Sequence, residues 1–415
     1  MLLTLHRNVK IRLLSSFFHV ILGTMVMPFM VIYFATNFGP AVAGIVMIGS
    51  VVLGMLASLY GGNLSDRIGR RPIIVGGSVV SCLSYGLMAF VNSPWMCSAI
   101  LTFISTTINS INFGFSSPAE DAMIIDVTDE SNRKYVYGLS YWMFNLATFF
   151  GSLAGGFFFE RYLFQLILGM FCFSLLSLAL DYFFIQESYH PTKHRQSFKL
   201  SSYLPVIKDS AFMFFIAATT LLFSLEHQVR NYMAVRLSQE MPQQETLGMA
   251  VDGVKMYGLL LAENTLFVVV LALLVSNIIR RYKEKTVLYV GAILYVLSFT
   301  VVGVSNVAVV LLAAMLFATV GELICVPITQ AMLADLPPEH NRSSYMAVRN
   351  ICCRMTGVLG SLSVTAGAFL STWAMGALFF VVGLISICLF GCFFSNKRAG
   401  FQSRCLQGNG PSCGA

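Results

Sequence analysis

The sequence predicts an all-α membrane protein of twelve transmembrane helices, arranged as two pseudo-symmetric six-helix bundles. Three observations predict it: an apolar composition, evenly recurring apolar runs, and an internal repeat. The chain has 415 residues, 57% hydrophobic and only 11% charged, with a mean hydropathy of +0.76, whereas soluble domains keep about 25% charged residues. Its 35 Phe, 21 Met and 33 Gly suit lipid-facing surfaces and close helix crossings. The ten cysteines fall mostly within apolar runs and show neither metal-ligand spacing nor a disulfide framework.

Apolar stretches long enough to cross a hydrocarbon layer of about 30 Å read as spans 1 to 12: Leu13–Ala35, Val42–Tyr60, Ile73–Val91, Met96–Phe115, Val136–Phe158, Leu163–Ile185, Ala211–Val235, Val254–Ile279, Val287–Val304, Val307–Pro327, Tyr345–Phe369 and Trp373–Phe394. Spans 4 and 10 extend further, towards Asp126 and Asp335. The basic, then apolar, start lacks a small-residue cleavage site and reads as a retained first span. These spans predict an N-terminal bundle over residues 1–185, a basic linker over 186–209, a C-terminal bundle over 210–395 and a disordered tail over 396–415.

The repeat supports the two halves. Pro118, Ala122, Met123, Asp126, Asn132 and Arg133 are matched by Pro327, Ala331, Met332, Asp335, Asn341 and Arg342. One constant interval, about half the chain, separates every pair. Such symmetry marks transporters whose site lies between the halves near the midplane. Most of the 26 lysines and arginines fall on one side of the spans: the N-terminal segment with Arg7, Lys10 and Arg12, loops 2–3, 4–5, 8–9 and 10–11, the linker and the tail. By the positive-inside rule both termini are cytoplasmic. The net charge of +7 therefore reflects topology and predicts no nucleic-acid partner.

Charges inside spans are costly and face a cavity or a partner, so they are functional candidates. Glu322 in span 10 lies about 22 Å from the outer start of that span at 1.5 Å per residue. Burial favours the protonated form of a carboxylate, so such a residue can take up a proton, or, ionised, attract a cation; the alternative is a structural carboxylate paired with a neighbouring helix. Span 7 offers Glu226, His227 and Arg230; Glu226 and Arg230 stand i,i+4 and can share a face. Their pair is either a fixed structural contact or a switch that a proton or substrate opens. Glu263 in span 8 lines the outer pathway or pairs with Arg230 or Lys255. His19 reads as a packing residue. Asp121, after Pro118, is placed at the cavity mouth or in interfacial water. Tyr141, Trp142 and Asn145 in span 5 form an aromatic and hydrogen-bonding strip suited to large cations.

Between spans 2 and 3 runs Gly62-Asn63-Leu64-Ser65-Asp66-Arg67-Ile68-Gly69-Arg70-Arg71-Pro72. This loop resembles the signature Gly-x-Leu-(Ala/Ser)-Asp-Arg-x-Gly-Arg-Arg of the major facilitator superfamily. The segments Ala122–Asp126, Asn132–Lys134, Tyr141-Trp142 … Asn145, Gly321-Glu322 … Pro327 and Ala334–Leu336 look like its drug:proton antiporter branch. The resemblance implies a cytoplasmic latch of Gly62, Asp66, Arg67, Gly69, Arg70, Arg71, Asp126, Arg133 and Arg349. In it, Asp66 would meet Arg349 or the start of span 11, and Arg70 would meet Asp126. It also implies Glu322 as a proton and substrate site. Two departures stand out: Gly151-Ser152-Leu153-Ala154-Gly155-Gly156 lacks the proline of the antiporter signature in span 5. Ser140 and Arg230 stand where that pattern has aspartates.

These readings predict a proton-coupled exporter of amphiphilic, cationic, drug-like compounds in a bacterial inner membrane, acting as a monomer. The proton gradient is its energy source, and it uses no cofactor and no metal. The alternatives are export or flipping of one metabolite or lipid, or a non-transporting sensor on the same scaffold. No nucleophile–base constellation marks an enzyme, and the Glu-x-x-Glu-Arg of peptide symporters is missing from span 1.

Overall fold

The computed structural model describes residues 6–129, 132–188, 204–246, 248–279, 281–337 and 342–406. Nearly all of them are helical. The helices are α1 (Arg7–Val26), α2 (Met30–Phe38), α3 (Pro40–Ile68), α4 (Arg70–Phe90), α5 (Ala99–Asp126), α6 (Arg133–Phe184), α7 (Leu204–Lys208), α8 (Ser210–Glu240), α9 (Gly253–Ile279), α10 (Glu284–Val304), α11 (Ala308–Asp335), α12 (Arg342–Gly367) and α13 (Thr372–Leu406). Among the described residues, nine helices are long and apolar enough to cross a membrane. The Tyr135–Phe184 stretch is long enough for two crossings. The remaining long helices, α5 and α12, carry more Ser, Thr, Asn and Arg than the others, as helices facing a polar interior do.

Three departures from the sequence reading have local causes. Span 1 is two helices, because Pro28 removes a backbone donor and the chain makes a 3-10 turn over Met27–Phe29. Spans 5 and 6 run together in α6, interrupted only at Tyr162, whose φ of −125° and ψ of 30° leave the helical region. Span 4 starts later than read: Met96 and Cys97 pair with Ser93 and Asn92 in a small hairpin (β1 Asn92–Ser93, β2 Met96–Cys97). Ser98 then caps α5, its Oγ accepting from Leu101 N at 3.4 Å. A second hairpin, β3 (Gln244–Thr246) with β4 (Met249–Val251), joins α8 to α9. The tail expected to be disordered from residue 396 is helical as far as Leu406. The central part of the predicted linker, residues 189–203, and the tail beyond 406 lie outside the described residues.

Helices cross closely where glycine allows it. A Cβ on Gly114 would meet Gly54 O at 2.0 Å, and one on Gly61 would meet Phe115 O at 2.0 Å, so α3 and α5 touch backbone to backbone. Gly62, the first residue of the latch motif, has room for a Cβ, 3.6 Å from Pro118. Buried polar groups tie α4 to α5: Asn109 Nδ2 donates to Ser84 Oγ at 2.7 Å, and Asn112 Nδ2 donates to Gly77 O at 2.9 Å and Ser81 Oγ at 2.8 Å.

Arg236, one residue past the end of span 7 as predicted, is buried at 2% exposure near the end of α8. Its guanidinium donates to Val302 O, Val304 O and Ser305 O at 3.1, 3.3 and 2.7 Å and to Asn306 Oδ1 at 2.5 Å. It thus caps the C-terminal carbonyls of α10, where a cation is favoured. Arg236→Met is expected to cost about 2 kcal/mol or more, since hydrogen bonds from a charged donor contribute about 1.5–3 kcal/mol. A thermal unfolding scan of the purified protein in detergent would read this as a lowered midpoint.

The two halves meet on the face opposite the N-terminus. There Gly156 of α6 lies against Gly258 of α9: a Cβ on Gly258 would meet Gly156 Cα at 2.6 Å and Ser152 O at 2.8 Å. Tyr257 stacks edge-on to Phe29 at 5.2 Å, and its OH donates to Pro28 O at 3.4 Å. Between α3 and α12, a Cβ on Gly44 would collide with Thr365, whose Oγ1 donates to Ala41 O at 3.1 Å. Among the described residues, the inter-half hydrogen bond nearest the N-terminal face is at mid-depth, Arg354 Nη2 to Ser58 Oγ at 2.7 Å. Towards that face no ion pair joins the halves among the described residues.

Candidate functional site

The charged loop folds as a sharp turn. Gly69 adopts φ +99°, a conformation that disfavours any Cβ, and ends α3 while α4 begins. Arg70 is the hub: Nη1 reaches Asp66 Oδ1 at 2.5 Å and Ser65 Oγ at 2.9 Å, and Nε reaches Asp126 Oδ2 at 3.3 Å. The Arg70–Asp126 pairing expected from the sequence is present. Asp66, expected to meet Arg349 or the start of α12, instead pairs with Arg70. Arg349 reaches Asn350 Oδ1 at 3.5 Å. Among the described residues no ion pair joins the halves on this face, and the ion pairs that the loop makes lie within its own half. Arg67 is exposed, and Arg71 Nη2 donates to Tyr182 O at 2.8 Å. The side chain of Arg133 lies outside the described residues.

The sequence reading missed Glu187. Its two carboxylate oxygens accept from Arg70 N at 2.9 Å and Arg71 N at 3.0 Å. It therefore caps α4 and balances the positive end of the helix dipole. No local pattern could reveal a cap supplied from more than a hundred residues away.

A second cluster lies inside the C-terminal half. Glu226 and Arg230 of α8 form the i,i+4 ion pair, with side chains 21% and 33% exposed. Tyr295 OH of α10 approaches Glu226 Oε2 at 3.5 Å. Glu322 of α11 accepts from Asn264 Nδ2 of α9 at 3.0 Å, and the same amide donates to Thr319 Oγ1 at 3.0 Å. Glu226, Arg230 and Asn264 share one narrow cleft with Met233, Leu261, Phe299 and Met315. Four helices thus aim two carboxylates, a guanidinium, an amide and a phenol at one place. Such a set can hold a cation, or exchange it for a proton on a carboxylate.

Other candidates fall elsewhere. Glu263 pairs with neither Arg230 nor Lys255; its Oε2 is buried without a hydrogen-bond partner among the described residues. Lys255 pairs with Asp252 at 3.1 Å at the start of α9. His227 is exposed, and its backbone packs on Gly360 of α12, a quarter turn from the Glu226–Arg230 edge. Tyr141 and Trp142 are 56% and 49% exposed, and Tyr141 lies within electrostatic reach of Glu322 across the space between the halves. Asn145, expected to offer a hydrogen bond beside them, is buried, and its amide donates to Tyr141 O at 2.9 Å. Asp121 is exposed; its neighbour Glu120 makes the ion pair, with Arg12 of α1. Arg12, read as part of a basic tail, is 7% exposed inside α1.

Two bundles closing on one face around a shared polar interior are the architecture of a multi-pass membrane transporter. The chain belongs to the Major Facilitator Superfamily, whose family model matches residues 12–361 and again 241–402. It is similar to a Na(+), Li(+), K(+)/H(+) antiporter of Planococcus maritimus, 29% identical over 400 residues that cover 92% of this chain and 94% of the relative. It is also similar to the multidrug resistance protein MdtH of Sodalis glossinidius, 23% identical over 302 residues, 73% of this chain and 71% of the relative. A solved peptide transporter POT in complex with sulfate shares the fold, with a TM-score of 0.70 and 14% identity over 93% of this chain and 95% of that one.

Proposed function

We propose that this protein is a proton-coupled antiporter that exports amphiphilic organic cations by alternating access. The observation that carries this is the charge cluster of the C-terminal half: Arg230 is ion-paired with Glu226 and lies within electrostatic reach of Glu322, and Asn264, which lines the same cleft as Glu226, donates to Glu322. A cation entering from the N-terminal face passes Tyr141 and Trp142, which offer aromatic surface for cation–π contact. It settles beside Glu322, whose carboxylate Asn264 orients. Protons arriving from the opposite face, once the halves have rocked, neutralise the carboxylates and release the cation. The similarity to MdtH supports a drug-like substrate. The N-terminal face is then cytoplasmic, the membrane is the bacterial inner membrane, and the energy comes from the proton gradient alone.

The longer and stronger similarity to the Planococcus antiporter favours a second reading, exchange of a monovalent metal cation for protons at the same carboxylates. Everted vesicles carrying an inside-acid pH gradient, followed with acridine orange, separate the two. Dissipation of the gradient on adding ethidium or tetraphenylphosphonium, but not sodium or potassium chloride, supports the drug reading. Dissipation by the salts alone supports the metal-cation reading. No dissipation by either overturns both and points to a dedicated metabolite or lipid carrier.

A further inference from the structure

We propose that Asp181 is a proton-binding site in the N-terminal half, separate from the carboxylates of the C-terminal cleft. Asp181 sits near the end of α6 and is 1% exposed. Its Oδ2 accepts from Ser78 Oγ of α4 at 2.5 Å. Its Oδ1 is buried with no hydrogen-bond partner among the described residues. Near it are Arg12 of α1 and Glu120 of α5; Ser15 and His19 follow Arg12 at i+3 and i+7 along α1. Arg12 Nη2 is ion-paired with Glu120 Oε2, yet Arg12 Nε and Ser15 Oγ are also buried without partners among the described residues. Arg12 and Glu120 are the charged groups in electrostatic reach of Asp181.

The charge count decides what this cluster binds. It holds two carboxylates and one guanidinium, and Arg12 already serves Glu120. Asp181, when ionised, is left in an apolar bundle with one hydroxyl as its contact, a placement that burial penalises. A proton on Oδ1 neutralises it with no further ligand. A sodium ion would need several oxygens, where Asp181 has the Ser78 hydroxyl as its hydrogen-bond partner among the described residues, and it would sit within reach of a guanidinium of like charge. The site therefore takes a proton: the carboxylate gains H+ and Arg12 is left wholly to Glu120; on release, Asp181 competes for Arg12. The next residue, Tyr182, offers its carbonyl to Arg71 of the charged loop, so the site lies directly behind that loop.

Infrared pH-difference spectra of the purified full-length protein in liposomes test this without any transport assay. They therefore read out independently of the function proposed above. Wild type should show a titrating C=O band of a protonated carboxyl group that is lost in Asp181→Asn and kept in Glu322→Gln. Ser78→Ala, which retains the carboxylate and the fold, should keep the band but shift its frequency and its midpoint. A band of full intensity in Asp181→Asn overturns the proposal. Should Asp181→Asn not fold, a Ser78→Ala spectrum identical to wild type overturns it equally. Disappearance of the band at constant pH on adding sodium chloride would make this a metal-cation site, which also contradicts the proposal.

Discussion

Gly258→Val should abolish most transport while leaving the protein inserted and folded. A Cβ at this position meets three backbone atoms of α6, Gly156 Cα at 2.6 Å, Ser152 O at 2.8 Å and Gly156 N at 2.9 Å. Backbone cannot swing aside as a side chain can, so the conformation in which this face is closed loses stability. Overpacking of this kind costs about 1–3 kcal/mol, which moves a two-state equilibrium roughly 5- to 150-fold. A transporter that cannot close one face cannot alternate. Ser152 is fully buried in the closed face, so Ser152→Cys reports the change. Its labelling by a membrane-impermeant maleimide from the closed side should rise in the Gly258→Val background, measured against Gly258→Val alone. Unchanged labelling and unchanged flux would show that the contact between Gly156 and Gly258 does not hold the halves together.

The second large effect is expected at Arg230. Replacing it by methionine leaves Glu226 with Tyr295 OH at 3.5 Å as its remaining named contact. Breaking a fully buried pair by removing one partner costs about 3–5 kcal/mol. Here the side chains are 33% and 21% exposed, and solvent screening reduces this to about 1–2 kcal/mol. Removing both charges, Glu226→Gln with Arg230→Met, leaves no orphaned carboxylate and should recover most of that stability. Thermal midpoints of the four proteins form a double-mutant cycle. A double variant no more stable than Arg230→Met would mean that the pair does not act as a unit.

Much of this architecture is legible in the sequence because the physics is local. Charged residues in a long apolar run stand out, and an i,i+4 spacing such as Glu226 and Arg230 states its own pairing. The turn at Gly69 was legible for the same reason, since a loop that short needs a residue tolerant of positive φ. What escaped depended on partners distant along the chain. Arg12 and Arg236 fall just outside the predicted spans because their helices extend past the apolar runs that define them. Asn145 looked available to a ligand, yet an amide in a helix can turn back onto the carbonyl four residues earlier, as it does onto Tyr141. Asp66 was assigned to Arg349 by the resemblance, a pairing that requires the halves to touch, whereas among the described residues no ion pair joins them on that face. Asp181, a lone acid near the end of span 6, acquires meaning only when α1 and α5 bring Arg12 and Glu120 beside it.

The central claim is that Glu322 couples a proton to the exported cation. The direct measurement is ethidium transport into everted vesicles driven by an imposed inside-acid pH gradient, with wild type and Glu322→Gln at matched expression. The amide keeps the shape and the contact with Asn264 but cannot carry a proton or a charge. Gradient-driven transport should fall at least tenfold in the variant, equivalent to about 1.4 kcal/mol, while an applied ethidium gradient alone still drives exchange. Gradient-driven transport by Glu322→Gln at the wild-type rate would contradict the account and remove this carboxylate from the coupling step.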